Sequence, residues 1–82
     1  MMMLSPEEYR DCFLTGKCAK QIETEIRKLQ REIRKLERIV GRPGYQPAIC
    51  PSEDVQLICN REYLAQARLA LEAARTAEEK EA

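Results

Sequence analysis

The sequence predicts an all-α fold, a short N-terminal helix followed by a long antiparallel helical hairpin, and three observations carry that prediction. From Lys17 to Val40 the residues Ala19, Ile22, Ile26, Leu29, Ile33, Leu36 and Val40 alternate spacings of three and four, an a/d heptad seam. Downstream, Leu57, Leu64 and Leu71 recur every seven residues and are joined by Ala67 and Ala74. Between the two patterns, "GRPGYQP" sets two glycines and two prolines within seven residues and stops the first long helix. Two long helices joined by a short, turn-rich loop are most simply an antiparallel pair. The 82 residues read as one domain, with helices at about 5–14, 17–40 and 52–78, a loop at 41–51 and a frayed tail at 79–82.

The first helix starts at "LSPEEY". Ser5 caps it, Pro6 suits the first helical position, and Glu8 completes a capping box with Ser5. Tyr9, Cys12 and Phe13 then share a face. Thr15-Gly16 interrupts this helix, because the seam of the next one, extended backward, leaves Phe13 and Leu14 on the wrong side. The last helix starts at "CPSEDVQL", with Ser52 as cap and Glu53 and Asp54 at the positive end of the helix dipole. A second row on it, Tyr63, Ala70 and Ala77, widens the apolar face and allows a close helix approach. These three are the expected oligomer contacts.

Charge selects a register for the hairpin. With Leu36 near Leu64 and Leu29 near Leu71, the flanking pairs become Glu37–Arg61, Gln30–Arg68 and Glu23–Arg75. A shift of one heptad sets Glu37 against Asp54, which is worse. Exposed pairs contribute only about 0–1 kcal/mol each, so they choose a register without creating the fold. In this register the last helix overshoots the first long one. The loop, through Tyr45 and Ile49, is then expected to cover Val55, Leu57, Ile58 and Cys59. On the opposite edge Ile39, Tyr63, Ala70 and Ala77 form a strip for the N-terminal helix or another subunit to cover.

Composition narrows the function classes. A chain of 82 residues with four aromatic side chains and no Trp has a marginal core, which predicts completion by homo-oligomerisation. "MMML" is too short for a signal-peptide core and no apolar run approaches a membrane span, so the expected location is the cytoplasm, with the four cysteines as reduced packing thiols. Cys12-x5-Cys18 and Cys50-x8-Cys59 are not zinc-knuckle spacings, and no His is present. In the hairpin the two cysteine pairs lie at opposite ends, about 30 Å apart at 1.5 Å per residue. The expectation is therefore no metal and no cofactor. Without His the commonest general base is missing, "TGKC" lacks the glycine spacing of a phosphate loop, and no acid pair converges. A non-enzymatic protein is expected.

The net charge of zero hides an uneven distribution. Residues 17–42 carry nine bases and four acids, while residues 43–82 carry four bases and seven acids. With Ile26 at position a, Lys20, Arg27, Lys28, Arg31, Arg34, Lys35, Arg38 and Arg42 all fall at b, c or f, facing away from the seam. Glu23, Glu25, Glu32 and Glu37 all fall at e or g. Such a ridge solvates an outer face, but a single-sign stripe repels itself at i,i+4, as in Arg27–Arg31 and Arg34–Arg38. Attraction of an anionic partner is the functional reading that stands beside the solvated face. Arg31, Arg34, Lys35 and Arg38 are the ridge's candidate ligand contacts. Arg68 joins them, because Gln30 leaves its charge unpaired.

"YLAQARLAL", Tyr63 to Leu71, resembles the aromatic-Leu-Ala-x-Ala-Arg-x-x-Leu tract in the second hairpin helix of small phage proteins, the anti-CBASS and anti-Thoeris sponges that sequester cyclic-nucleotide immune signals. "EYR", Glu8 to Arg10, precedes the hairpin much as a Tyr-Arg does in anti-CBASS members. Tyr63 stands where that family prefers Trp, and the loop here is longer. The resemblance implies an oligomeric, non-enzymatic helical protein that binds anionic nucleotides, with Tyr9 and Arg68 as ligand contacts. The expected function is thus that of a phage or mobile-element counter-defence protein, acting in the host cytoplasm, that sequesters an anionic signal nucleotide or blocks an immune protein. A homo-oligomeric structural or adaptor coiled coil and a nonspecific nucleic-acid-binding protein are the rival readings.

Overall fold

The computed structural model describes residues 3–81, an all-α chain 53 × 22 × 13 Å in extent. Helix α1 spans Pro6–Tyr9 and runs into a π-helical turn at Arg10–Leu14; α2 spans Ala19–Val40 and α3 spans Glu53–Glu81. The two long helices pack along each other as an antiparallel hairpin, and the short N-terminal element lies across α3.

Each boundary has a local cause. The Ser5 hydroxyl accepts from the Glu8 N–H at 3.1 Å, and the Glu8 carboxylate accepts from the Ser5 N–H at 3.0 Å. The Ser5 N–H, and after it the Ser5 hydroxyl, holds the Glu8 carboxyl below its ordinary pKa. Beyond Tyr9 the backbone widens into the π turn, closed by the Thr15 N–H on the Arg10 carbonyl at 3.0 Å. Bonding from i to i+5 moves the buried position on by one. Leu14 therefore comes under the core with Tyr9, while Cys12 and Phe13, expected to share that face, are exposed. Gly16 turns the chain into α2 at φ +78°, a conformation that costs other residues strain. At the start of α2 the Gln21 side chain accepts from the Cys18 N–H at 3.0 Å.

At the far end Gly44, at φ +75°, makes the loop turn. Tyr45 then reaches the start of α3: its hydroxyl donates to Glu53 at 3.1 Å and accepts from the Asp54 N–H at 3.3 Å. The Ser52 carbonyl accepts the first helical bond, from Gln56, at 2.9 Å. The Ser52 hydroxyl is the main cause of a lowered Asp54 pKa. The loop does not, however, cover the overshooting turns as expected. Ile49, Val55 and Ile58 are exposed, Ile58 by 56%. Tyr45 spends its polar end on capping α3, and nothing else in the loop reaches across.

The expected register is the one observed. Arg61 meets Glu37 at 3.1 Å and Arg75 meets Glu23 at 2.8 Å. One turn further on, the Glu78 carboxylate accepts from the Ala19 N–H at 3.1 Å and so caps α2 from the other helix. This contact anchors the end of α3, which runs to Glu81 where the sequence pattern placed its end at 78 and a frayed tail beyond; Ala82 lies outside the described residues.

Two apolar clusters form the core. Tyr9, Leu14, Ile22, Leu29, Tyr63 and Ala67 make the larger; Ile33, Leu36 and Leu57 make the smaller, and Leu64 packs against both. Ala67, fully buried, lies in the larger cluster with residues of the N-terminal element, α2 and α3. Asn60 occupies a seam position and is buried, with its side-chain amide donating to the Gln56 carbonyl at 2.7 Å.

Candidate functional site

The functional candidates fall into two groups, which the fold treats in opposite ways. The aromatic candidates are internal. Tyr9 is only 6% exposed, and its ring stacks on Tyr63, 4.4 Å between centroids and 9° between planes, and on Phe13 at 5.0 Å and 22°. Both faces of Tyr9 are thus covered, leaving none for a ligand base. Burial, reinforced by the nearby Glu25 carboxylate, pushes its phenol up to about 12. Tyr63, expected at an oligomer contact, is buried within the chain, where its hydroxyl donates to the Leu4 carbonyl. Burial raises its pKa as well. Ala70 packs half-buried against the larger cluster, and Ala77 alone of that row is exposed. The chain's own N-terminal element covers this edge at Tyr63 and leaves Ala77 outside its cover.

The basic candidates are external. Lys20, Arg27, Lys28, Arg31, Arg34, Lys35 and Arg38 are all exposed along α2, as is Arg42 just past its end. Their few contacts are local: Lys28 to Glu25 at 3.6 Å, Arg27 to the Thr24 hydroxyl at 3.3 Å, and Arg38 to the Arg34 carbonyl at 3.4 Å. Among the described residues no ion pair neutralises Arg27, Arg31, Arg34, Lys35, Arg38 or Arg68. The hairpin gives α2 one seam to bury and leaves the opposite half-cylinder, a rigid rod of guanidinium and ammonium groups, in water. An open groove of about 360 Å³ lies between Arg34, Glu37 and Arg38.

Comparison with protein-family models, with curated proteins and with solved structures finds no match. The site is therefore read from its own chemistry. Among the described residues no three carboxylate or thiol groups gather as a metal site, and no helix is long and apolar enough to cross a membrane. Three of the cysteines, Cys12, Cys18 and Cys50, are exposed, and only Cys59 is half-buried against the core, so packing does not account for the other three.

Two features escaped the sequence reading. Glu78 was legible, since extending the register by one turn beyond Glu23–Arg75 brings it to the start of α2. The outer face of α3 was not. Leu69 is 64% exposed and lines an open groove of about 490 Å³ with Glu72, Ala73, Thr76, Ala77 and Lys80. Leu69 lies outside both apolar rows of its helix, so the heptad pattern carries no signal for it.

Proposed function

We propose that this chain is a non-catalytic binding protein whose α2 ridge captures an anionic partner. The single observation that supports this is the exposed, one-sign row of bases, unneutralised through most of its length. In the specific form of the proposal, a phage or mobile-element counter-defence protein uses this ridge in the host cytoplasm to sequester an anionic signal nucleotide. Its alternative form blocks an immune protein through an acidic surface. Arg31, Arg34, Lys35, Arg38 and Arg68 are the proposed contacts; Tyr9 serves the core.

Thermal-shift measurements with cyclic di- and trinucleotides test the nucleotide form, with a rise in Tm as the expected result. No rise at millimolar ligand leaves only the protein-blocking form. Reversing the charge at Arg31, Arg34 and Arg38 together is expected to spare folding and remove binding in either form.

A second reading, a homo-oligomeric adaptor, draws on the exposure of Leu69 and Ile58 on α3. Light scattering separates the two: a strict monomer counts against the adaptor and leaves the ridge proposal intact.

A further inference from the structure

The two long helices turn opposite kinds of surface to solvent. On α2 the face away from the seam is a row of bases, whereas on α3 the corresponding face is nearly free of charge at its centre. One acid, Glu62, stands toward one end of it and one base, Lys80, toward the other. Neither is in an ion pair among the described residues. Between them the exposed positions are small or uncharged, apart from one large apolar side chain, Leu69. Beside Leu69 the groove of about 490 Å³ is lined on its far side by Ala73, Thr76 and Ala77. An exposed leucine next to a row of small residues is a knob beside a hole of its own kind.

We propose that this face of α3 pairs with the same face of a second copy of the chain, antiparallel, about a two-fold axis midway between Leu69 and Ala73. The inference rests on the homo-oligomer reading and names its surface. In this register Glu62 of one copy meets Lys80 of the other, Ala65 meets Ala77, Gln66 meets Thr76, and Leu69 enters the groove beside Ala73. Opposite charges meet, polar residues meet, and the large apolar residue meets a small one. The alternatives lose this match. Parallel copies set Glu62 on Glu62 and Lys80 on Lys80, and a slide of one turn sets Glu62 against Thr76 and Lys80 against Ile58. The one like-charge approach, Glu72 on Glu72 beside the axis, lies at the edge of the face, where water screens it. The α2 ridges point away from the pairing and face outward in opposite directions, so the dimer offers its anionic partner two ridges.

The test is sedimentation equilibrium of the full chain, together with carbodiimide cross-linking, which joins a carboxylate to an amine in contact with it. A monomer–dimer equilibrium is expected, with a Glu62–Lys80 cross-link in the dimer. Within one chain these residues are about 27 Å apart along the helix, so the link forms only between copies. Leu69→Glu is expected to raise the dimer Kd at least about a hundredfold, since two buried leucines are lost per dimer, and to leave helicity by circular dichroism unchanged. Glu62→Lys and Lys80→Glu are each expected to raise the Kd about tenfold, and the double variant to restore it. A chain that stays monomeric at millimolar concentration overturns both the pairing and the homo-oligomer reading, whatever else covers Leu69. A dimer that survives Leu69→Glu, or that the double variant fails to restore, overturns the pairing and leaves a homo-oligomer built on another surface.

Discussion

Toward its open end the hairpin is three layers thick, with Tyr9 and Leu14 laid over Ile22, Tyr63 and Ala67, whereas at the loop end Ile33, Leu36 and Leu57 pack as two layers with solvent close on either side. The seam is built the same way throughout, so the difference comes from what lies across it. One short N-terminal element supplies the third layer, and the loop supplies polar contacts to α3 from Tyr45 and the Pro51 carbonyl. Ordering this proline- and glycine-rich loop costs the chain entropy without burying Ile49, Val55 or Ile58. Stability in this molecule should accordingly be graded along the hairpin, and local opening should start at the loop.

The largest effect expected from breaking this comparison is at Ile22, 1% exposed and enclosed by all three layers. Ile22→Ala is expected to cost about 4–5 kcal/mol, the upper part of the range for such truncations, because the surrounding helices cannot all close on the cavity. Leu57→Ala, at the thinner end, is expected nearer about 2–3 kcal/mol, since the loop side is free to relax inward. Urea denaturation of the two variants measures the difference, and native-state hydrogen exchange should show the amides near Leu57 opening first.

A smaller effect isolates the strap. Tyr63→Phe keeps the ring stacked on Tyr9 and removes the bond to the Leu4 carbonyl. The expected cost is about 0.5–1.5 kcal/mol. Protection should be lost at the N-terminal element and not at the loop, which hydrogen exchange reads directly.

The register, the capping box at Ser5 and the break at Thr15-Gly16 were legible because each rests on local pattern: heptad spacing, Ser-x-x-Glu, and the phase of the seam. The exchange of Phe13 for Leu14 in the core was not. A π turn changes the residue count per turn by an amount that no apolar pattern over five residues reveals. The ridge was legible as charge on a helix of known phase. Its separation from Tyr9 was not, because only the stacking of Tyr9 between Phe13 and Tyr63 shows that this tyrosine has no free face. The exposure of Ile58 depended on how far the loop reaches, which composition does not determine.

Alkaline pH sharpens the comparison further. The Tyr9 phenol, held at about 12 in the fold against 10.0 for the free group, keeps its proton where the unfolded chain loses it. Between pH 10 and 12 the folded state therefore binds more protons than the unfolded one, and stability falls as pH rises through that window. Tyr63, shifted in the same direction, adds to the decline. Tyr9→Phe is expected to flatten the slope of Tm against pH over this window and to leave the value at neutral pH almost unchanged, since the bond it removes, to Glu25, is a long 3.4 Å. A loop-end substitution such as Leu57→Ala should lower the whole curve and leave its slope intact.

The smallest effect expected is at Ile58, 56% exposed beside a loop that does not cover it. If the loop end is two layers thick in solution, Ile58→Ser removes a side chain with little to lose, and the change should stay within about 0.5 kcal/mol, as surface substitutions do. Serine in place of Ala67, fully buried in the larger cluster, would force a hydroxyl into a space with no room for it and cost about 1–3 kcal/mol, even with the hydroxyl bonded back to the Tyr63 carbonyl. A cost at Ile58 comparable to that at Ala67 would mean that something covers Ile58 in solution. A second copy of the chain is one such cover, and a cost that grows with protein concentration would identify it. Equal and small costs at both sites would instead dissolve the distinction between the ends, because the third layer would then add nothing that the seam does not already supply.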